Sequence, residues 1–351
     1  MYNDADATML STPVSDAEIS REQAKQWSQT AKQFAKPQTT KSILQLVYTL
    51  VPLIGLWVAM LLLVDKALWL TLLLAIPAAA FTVRLFIIQH DCGHHSYFHS
   101  RKMNDILGTL IGMITLTPHN YWRRSHNIHH ATCGDLGKRG IGDIQLLTVE
   151  EYKNLSFWKR VGYRLYRNPL VFLGIGPIYL FVIKYRFPFD MIRREPQLLA
   201  GIMLTNVGIV GTIVALGLGF GFKEVFLVQG PIVLLSSAIG VWLFFVQHQF
   251  ERTYWRAGKE WEFREASLLA SSFYDLPQPL RWLSGNIGIH HIHHLSCRIP
   301  SYRLGQCLSA LPRLKSLNRI GFWESLACFR LALWDDAAGR LVSFRSLRRG
   351  A

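Results

Sequence analysis

The chain has 351 residues, half of them hydrophobic, with 38 Lys+Arg against 23 Asp+Glu and a formal net charge of +15. That length can bury a large core, and high apolar content beside a basic excess points to membrane spans alternating with basic faces. The placement of charge argues against nucleic-acid binding: apart from Arg84, basic residues are absent from four apolar stretches and gather in the long segments between and after them, which is positive-inside sorting rather than a phosphate groove.

Residues 1–40 begin acidic and polar, without the basic start and apolar core of a signal peptide, and read as a mobile N-terminal tail leading into a short interfacial segment. Residues 43–64 carry no charge and, at about 1.5 Å rise per residue, are long enough for a hydrocarbon core of about 30 Å. Residues 67–88 follow after Asp65 and Lys66 alone, so the two spans form a tight hairpin. Two shorter apolar stretches, 106–118 and 169–183, are expected to lie in the interface or against the spans. Residues 198–219 and 225–246 repeat the hairpin arrangement across the connection GFGFKE, and residues 311–351 read as a C-terminal cytoplasmic tail after a membrane domain of 41–310. Segments 89–197 and 247–351 each hold 15 Lys+Arg against 8 Asp+Glu. Both, with the N-terminus, are therefore expected on the cytoplasmic side. The five cysteines form no CxxC pair and imply no disulfide framework.

Of thirteen histidines, eleven fall in three clusters, HDCGHHSYFH at 90–99, HNIHH at 126–130 and HHIHH at 290–294, all outside the spans. The first follows span two and the third follows span four, so an even number of crossings puts all three on one face. On a helix, His90 and His94 share a side, as do His126, His129 and His130, and His290, His293 and His294. Eight neutral imidazoles exceed the four ligands of a zinc site and suit two metals with open positions. Imidazole accepts iron, copper, nickel and zinc alike, so spacing does not name the metal, although it favours a redox-capable pair.

The motifs HDCGH at 90–94, SHNIHHATCGDLGKRGIGDI at 125–144, VQHQFE at 246–251 and GNIGIHHIHHLSCRIPSYRL at 285–304 resemble those of membrane fatty acid desaturases, most of all the omega-6 (delta-12) acyl-lipid type. The resemblance covers roughly residues 40–310. It implies an all-α membrane protein, with four transmembrane helices in two hairpins under a cytoplasmic helical cap that carries a histidine-rich di-iron site. It further implies O2 as co-substrate and removal of two vicinal hydrogens from a lipid-linked acyl chain. Two features depart from the pattern. His95 stands where similar sequences often have Gly, with His99 close by, and no HPGG-like haem segment occurs. A fused cytochrome b5 domain is thus not expected, and electrons would come from a separate ferredoxin or cytochrome b5-like partner.

Breaking an unactivated C–H bond is beyond any side chain, so the metals and O2 must supply the oxidant and the protein must hold an extended chain in an apolar tunnel. The expected metal ligands are His90, His94, His126, His129, His130, His290, His293 and His294, with His248 as a ninth. A helical extension past span four could carry His248 under the site, and similar desaturases use a histidine between the second hairpin and the third box. At about 100° per residue His291 points away from its neighbours' mean direction, although His291 and His294 are themselves i and i+3. Asp91, Asp135, Asp143 and Asn286 lie beside the boxes and are candidates to orient ligating rings, with helix caps or surface positions as the plain alternative. A lipid hydroxylase shares the first chemical step, and a non-enzymatic membrane metal-binding protein would be expected to place its ligands near mid-membrane.

Overall fold

Four long apolar helices form the frame. Helices α2 (Thr39–Leu63) and α3 (Leu68–Gly93) make the first hairpin, after a shorter α1 (Arg21–Lys32). Beyond them come α4 (Arg101–Ile114), α5 (His119–Thr132), α6 (Phe157–Tyr166) and the second hairpin, α7 (Leu198–Phe220) with α8 (Phe222–His248). The computed structural model describes residues 19–187, 193 and 195–348.

The four frame helices are 25, 26, 23 and 27 residues long and all meet the length and hydropathy needed to cross a membrane. Their outward faces leave Val51, Ile54, Leu62, Ile76, Val207, Val210 and Phe226 exposed, far more apolar surface than water tolerates and the surface lipid requires. The central span is α3, with 56% of its most apolar window buried against 17–22% for the others. It packs against both α2 and α8. Pro52, Pro77 and Pro231 lie inside the spans, as membrane helices allow where neighbours satisfy the freed backbone. Gly221 alone joins α7 to α8 at φ +95°, and a Cβ there would stand 1.9 Å from Glu224 Oε2.

Arg84, the one Lys or Arg in the four apolar stretches 43–64, 67–88, 198–219 and 225–246, is buried in α3. It donates to Thr49 Oγ1 at 3.1 Å, to Gln45 Oε1 and to the Trp282 carbonyl, and it stacks 4.0 Å from the Trp282 ring centroid. A buried cation with each of its three nitrogens hydrogen-bonded ties the first hairpin to the segment before the third histidine cluster.

Two segments read as tails are built into the fold. Residues 21–32 form α1, capped by Ser20 and Gln23, with Ala24, Trp27 and Ala31 buried among Leu269, Leu295 and Leu308. These three sit at i, i+3 and i+7 on an otherwise polar helix, a narrow apolar stripe that average composition hides. Residues 1–18 lie outside the described part of the chain. At the other end, β4 (Leu331–Asp335) pairs antiparallel with β5 (Arg340–Ser343) and parallel with β1 (Leu147–Thr148). Trp334 is almost completely buried there. A second parallel pair joins β2 (Phe273–Asp275) to β3 (Arg319–Gly321), so the helical frame carries two small sheets.

Of the short apolar stretches, 106–118 lies in α4 and the turn after it, with Ile106, Leu110 and Ile114 exposed. Residues 171–184 continue from α6 through a 66° bend, mostly as π-helix.

Candidate metal centre

The site sits where the frame helices outrun their apolar stretches. Helix α3 continues to Gly93 and carries His90, α8 runs on to His248, and α5 supplies His126, His129 and His130. The short helix α9 (His290–Leu295) supplies His290, His293 and His294. Helix α9 is held to the end of α8 by Ser272. Its hydroxyl donates to the Val246 carbonyl, its amide to the Gln247 carbonyl, and its own carbonyl accepts from the amides of His290 and His291. Gln247 Nε2 donates to the Ile287 carbonyl at 3.2 Å.

The nine imidazoles fall into two adjoining sets. His90, His94, His126, His130 and His293 bring one ring nitrogen each within 4.8 Å of one another, as do His129, His248 and His294 together with the Cys133 sulfur. His290 joins the second set through Nε2 contacts of 3.0 Å to His248 and 3.2 Å to His294. The sets meet where His130 and His294 stack, with centroids 4.1 Å apart. This convergence fixes a parity. Residues 126–130 and 248–294 reach one site, so an even number of crossings separates them. Helices α7 and α8 provide two, and among the described residues the bent segment 157–184 is the one further stretch long and apolar enough to count as a span.

The nitrogens point at each other as ligands of a shared cation do. His129 Nδ1 is taken by the Asp143 carboxylate and His248 Nδ1 by the Ala270 carbonyl at 3.0 Å, so both carry their proton on Nδ1. Their Nε2 lone pairs nevertheless face each other at 3.1 Å. Nε2 pairs of His126–His130 and His130–His293 stand 3.0 and 3.1 Å apart. His90 Nε2 and His94 Nε2 are buried with no hydrogen-bond partner among the described residues. Two nitrogens each about 2.1 Å from one ion at a right angle lie about 3.0 Å apart, so the arrangement fits metal ligation. Burial, then neighbouring imidazoles, hold the pKa values of His94, His126, His130, His290, His293 and His294 below the usual histidine range. These six rings are neutral at pH 7, the form that ligates.

Around the rings, Asp143 reaches His129 because the 140–143 turn lies against α5: a Cβ on Gly142, at φ +77°, would meet Ser125 O at 2.7 Å and His129 Cβ at 3.0 Å. Asp91 stands 3.4 Å from His90 Nδ1 and accepts from the Ser301 amide at 2.7 Å, tying the first box to the helix after the third. Asp135 instead closes its own turn through Gly137 N and Lys138 Nζ. Asn286, at φ +61°, donates to the Ser301 carbonyl, and neither it nor Asp135 bonds an imidazole. His291 points away from the cluster, its Nε2 donating to the Leu314 carbonyl at 2.9 Å. His95 pairs with Asp105 and His99 is exposed.

Ser272, Trp122 and Cys133 also belong to the site, although none was expected there from the histidine boxes. Trp122 stacks on His126 at 4.5 Å. The Cys133 thiol, kept protonated by burial, donates toward the Ala270 carbonyl behind His248. A serine between the fourth span and the third box, and an aromatic residue four before a ligating His, are the local signals that could have marked the first two.

A family model described as fatty acid desaturase matches residues 67–314. The chain belongs to the fatty acid desaturase family. This desaturase is 45% identical over 324 residues, 92% of each chain, to a fatty acid desaturase of Bacillus subtilis (strain 168). It is 27% identical over 72% of its length, and 69% of the relative's, to an sn-1 acyl-lipid omega-3 desaturase (ferredoxin) of Nostoc sp. (strain 36). An sn-1 oleoyl-lipid 12-desaturase of Synechocystis is 25% identical over 62% of each chain. The desaturase is accordingly an enzyme of the membrane, with four spans and a buried histidine-rich centre.

Proposed function

We propose that this desaturase binds two irons in the nine-histidine centre and uses O2 to introduce a cis double bond of the delta-12/omega-6 type into a lipid-linked acyl chain. The observation that carries the reading is a cavity of about 610 Å³ that abuts the centre. His90, His126 and His290 form part of its wall, and the rest is largely apolar, with Phe86, Val233, Leu243 and Phe244. Residues from Val233 to Gln247 of α8 line it, a stretch of about 21 Å at 1.5 Å per residue, which suits an extended chain held along the span.

His90, His94, His126, His130 and His293 would hold one iron and His129, His248, His290 and His294 the other. When bound, the irons supply O2 reduction and the oxidant for C–H cleavage. The chain's own residues do the rest. Asp143 and the Ala270 carbonyl fix the proton of His129 and His248 on Nδ1 and free Nε2. Trp122 and Phe86 wall the cavity beside His90 and His126, exclude water and present one methylene pair to the centre. The balance takes one O2, two substrate hydrogens, two protons and two electrons to two waters.

Relatives are named for both 12- and omega-3 positions and for ferredoxin. A ferredoxin or cytochrome b5-like donor on the cytoplasmic side completes the reading, since the basic excess of the long segments supports putting both termini and the centre on that side. Expression in a host lacking polyunsaturated acids, with lipid analysis by mass, tests it. A product two hydrogens lighter, with its new double bond at the delta-12 position, is expected. A bond at the omega-3 position reassigns the regiochemistry, and a product heavier by one oxygen makes the enzyme a hydroxylase.

A further inference from the structure

The centre has a second approach. A cavity of about 450 Å³ meets the centre at His94 and is lined also by Arg123, Arg124, Asn127, Cys297 and Arg298, none of which lines the acyl cavity. The acyl cavity touches His90, His126 and His290 but not His94, and this one touches His94 alone among the nine. Its wall comes from no span interior: Gly93 is the last residue of α3 and Leu198 the first of α7. It therefore opens to water at the level of the helix ends.

The cleft is basic. Arg123, Arg124 and Arg298 line it and no carboxylate does. Asp105 pairs with Arg123, and Glu195 with Arg124 at 2.7 Å, both from outside the wall, while Arg298 is exposed and makes no ion pair among the described residues. The surrounding segments reinforce the sign, each with 15 Lys+Arg against 8 Asp+Glu.

We infer that this cleft is the docking mouth for the electron donor, a soluble one-electron carrier with an acidic face that seats its redox group over His94. The inference rests on the proposed O2 chemistry, which needs two electrons per turnover from outside the chain. Those electrons must reach the centre by a route the acyl chain does not fill, and His94 is the point where the centre meets a water-facing wall. A like-sign rim around that point steers an acidic carrier and holds it in register. An anionic lipid head group shares the charge but has no call for contact with His94.

The test uses the full chain in nanodiscs of neutral phosphatidylcholine with a plant-type [2Fe–2S] ferredoxin, reading its Kd directly and acyl turnover separately. Arg298→Glu and Arg124→Glu should each weaken ferredoxin binding about tenfold or more at roughly 50 mM salt, shrinking toward the unaltered value by about 0.5 M as screening takes over. Bound iron should stay unchanged. Lys315→Glu, exposed elsewhere on the basic surface, should move Kd less than about twofold if the cleft rather than bulk charge matters. Equal effects from all three, or none from the two arginines, overturn the inference, as does a change only in the affinity for vesicles of anionic lipid. A Kd shift without any double bond formed by the unaltered enzyme would leave the docking surface standing and sink the desaturation chemistry instead.

Discussion

Gly93 and Trp122 touch so closely that a methyl group at position 93 would stand 2.8 Å from Trp122 Cζ3. Trp122 in turn stacks on His126 and meets Phe86 edge-on at 5.3 Å. The glycine that ends the central span thus sets the ring that sets a histidine. Gly93→Ala is expected to push Trp122 toward His126 and lower turnover roughly tenfold, since displacements below 1 Å matter at a reacting centre. Gly305→Ala, where a Cβ meets nothing within 4 Å, should leave turnover unchanged. Equal activity of both variants would remove Trp122 from any positioning role.

His248 and His291 make opposite predictions. His248 Nε2 faces His129 and His290, whereas His291 donates to the Leu314 carbonyl. His248→Ala should lose close to one of two bound irons per chain, read by metal analysis of purified protein. His291→Ala should keep both and instead lower thermal stability by about 1–3 kcal/mol, because the Leu314 carbonyl loses its buried donor. Iron lost from the second with iron kept in the first would reverse the ligand assignment.

Asp143→Asn keeps an acceptor beside His129 Nδ1 but removes its charge. A neutral acceptor makes the imidazole a weaker base, and metal affinity or activity should fall about 10–100-fold. The same change at Asp135, which bonds only Gly137 and Lys138 in its own turn, should leave bound iron intact. Titration of iron back into metal-free protein separates the two.

Arg84→Leu should be costly although it makes the span more apolar. It strands the half-buried Gln45 amide oxygen and the Trp282 carbonyl, at about 1 kcal/mol for each unpaired group. The expected outcome is a lower melting temperature in detergent with a disturbed approach to the third box. Unchanged stability would mean that water fills the gap.

Tags at the N-terminus, near residue 150 and at the C-terminus should all be reached only from the cytoplasmic side. The basic excess of both long segments sets the direction, and the shared histidine site requires the parity. Labelling of any of the three from outside intact cells would invert this orientation.

Hydropathy and spacing by themselves determined the four spans, the two tight hairpins and the three histidine boxes, because a membrane span and a ligand-bearing helix face are local properties of consecutive residues. The periodicity also separated His291 from His290, His293 and His294, since 100° per residue holds within a single turn of helix. Tertiary structure alone decided which nitrogens face one another. His248 meets His290 across 42 residues and Asp91 meets the Ser301 amide across 210, and no local pattern encodes such a meeting. It decided equally against Asp135 and Asn286, whose nearness in sequence to the boxes is spent on their own turns and on Ser301. Finally, it turned two polar termini into structure. Three apolar residues of α1, Ala24, Trp27 and Ala31, are buried against distant residues such as Leu269, Leu295 and Leu308, and Trp334 of β4 against Leu146 and Trp255, and burial against a distant surface is what composition along the chain cannot carry.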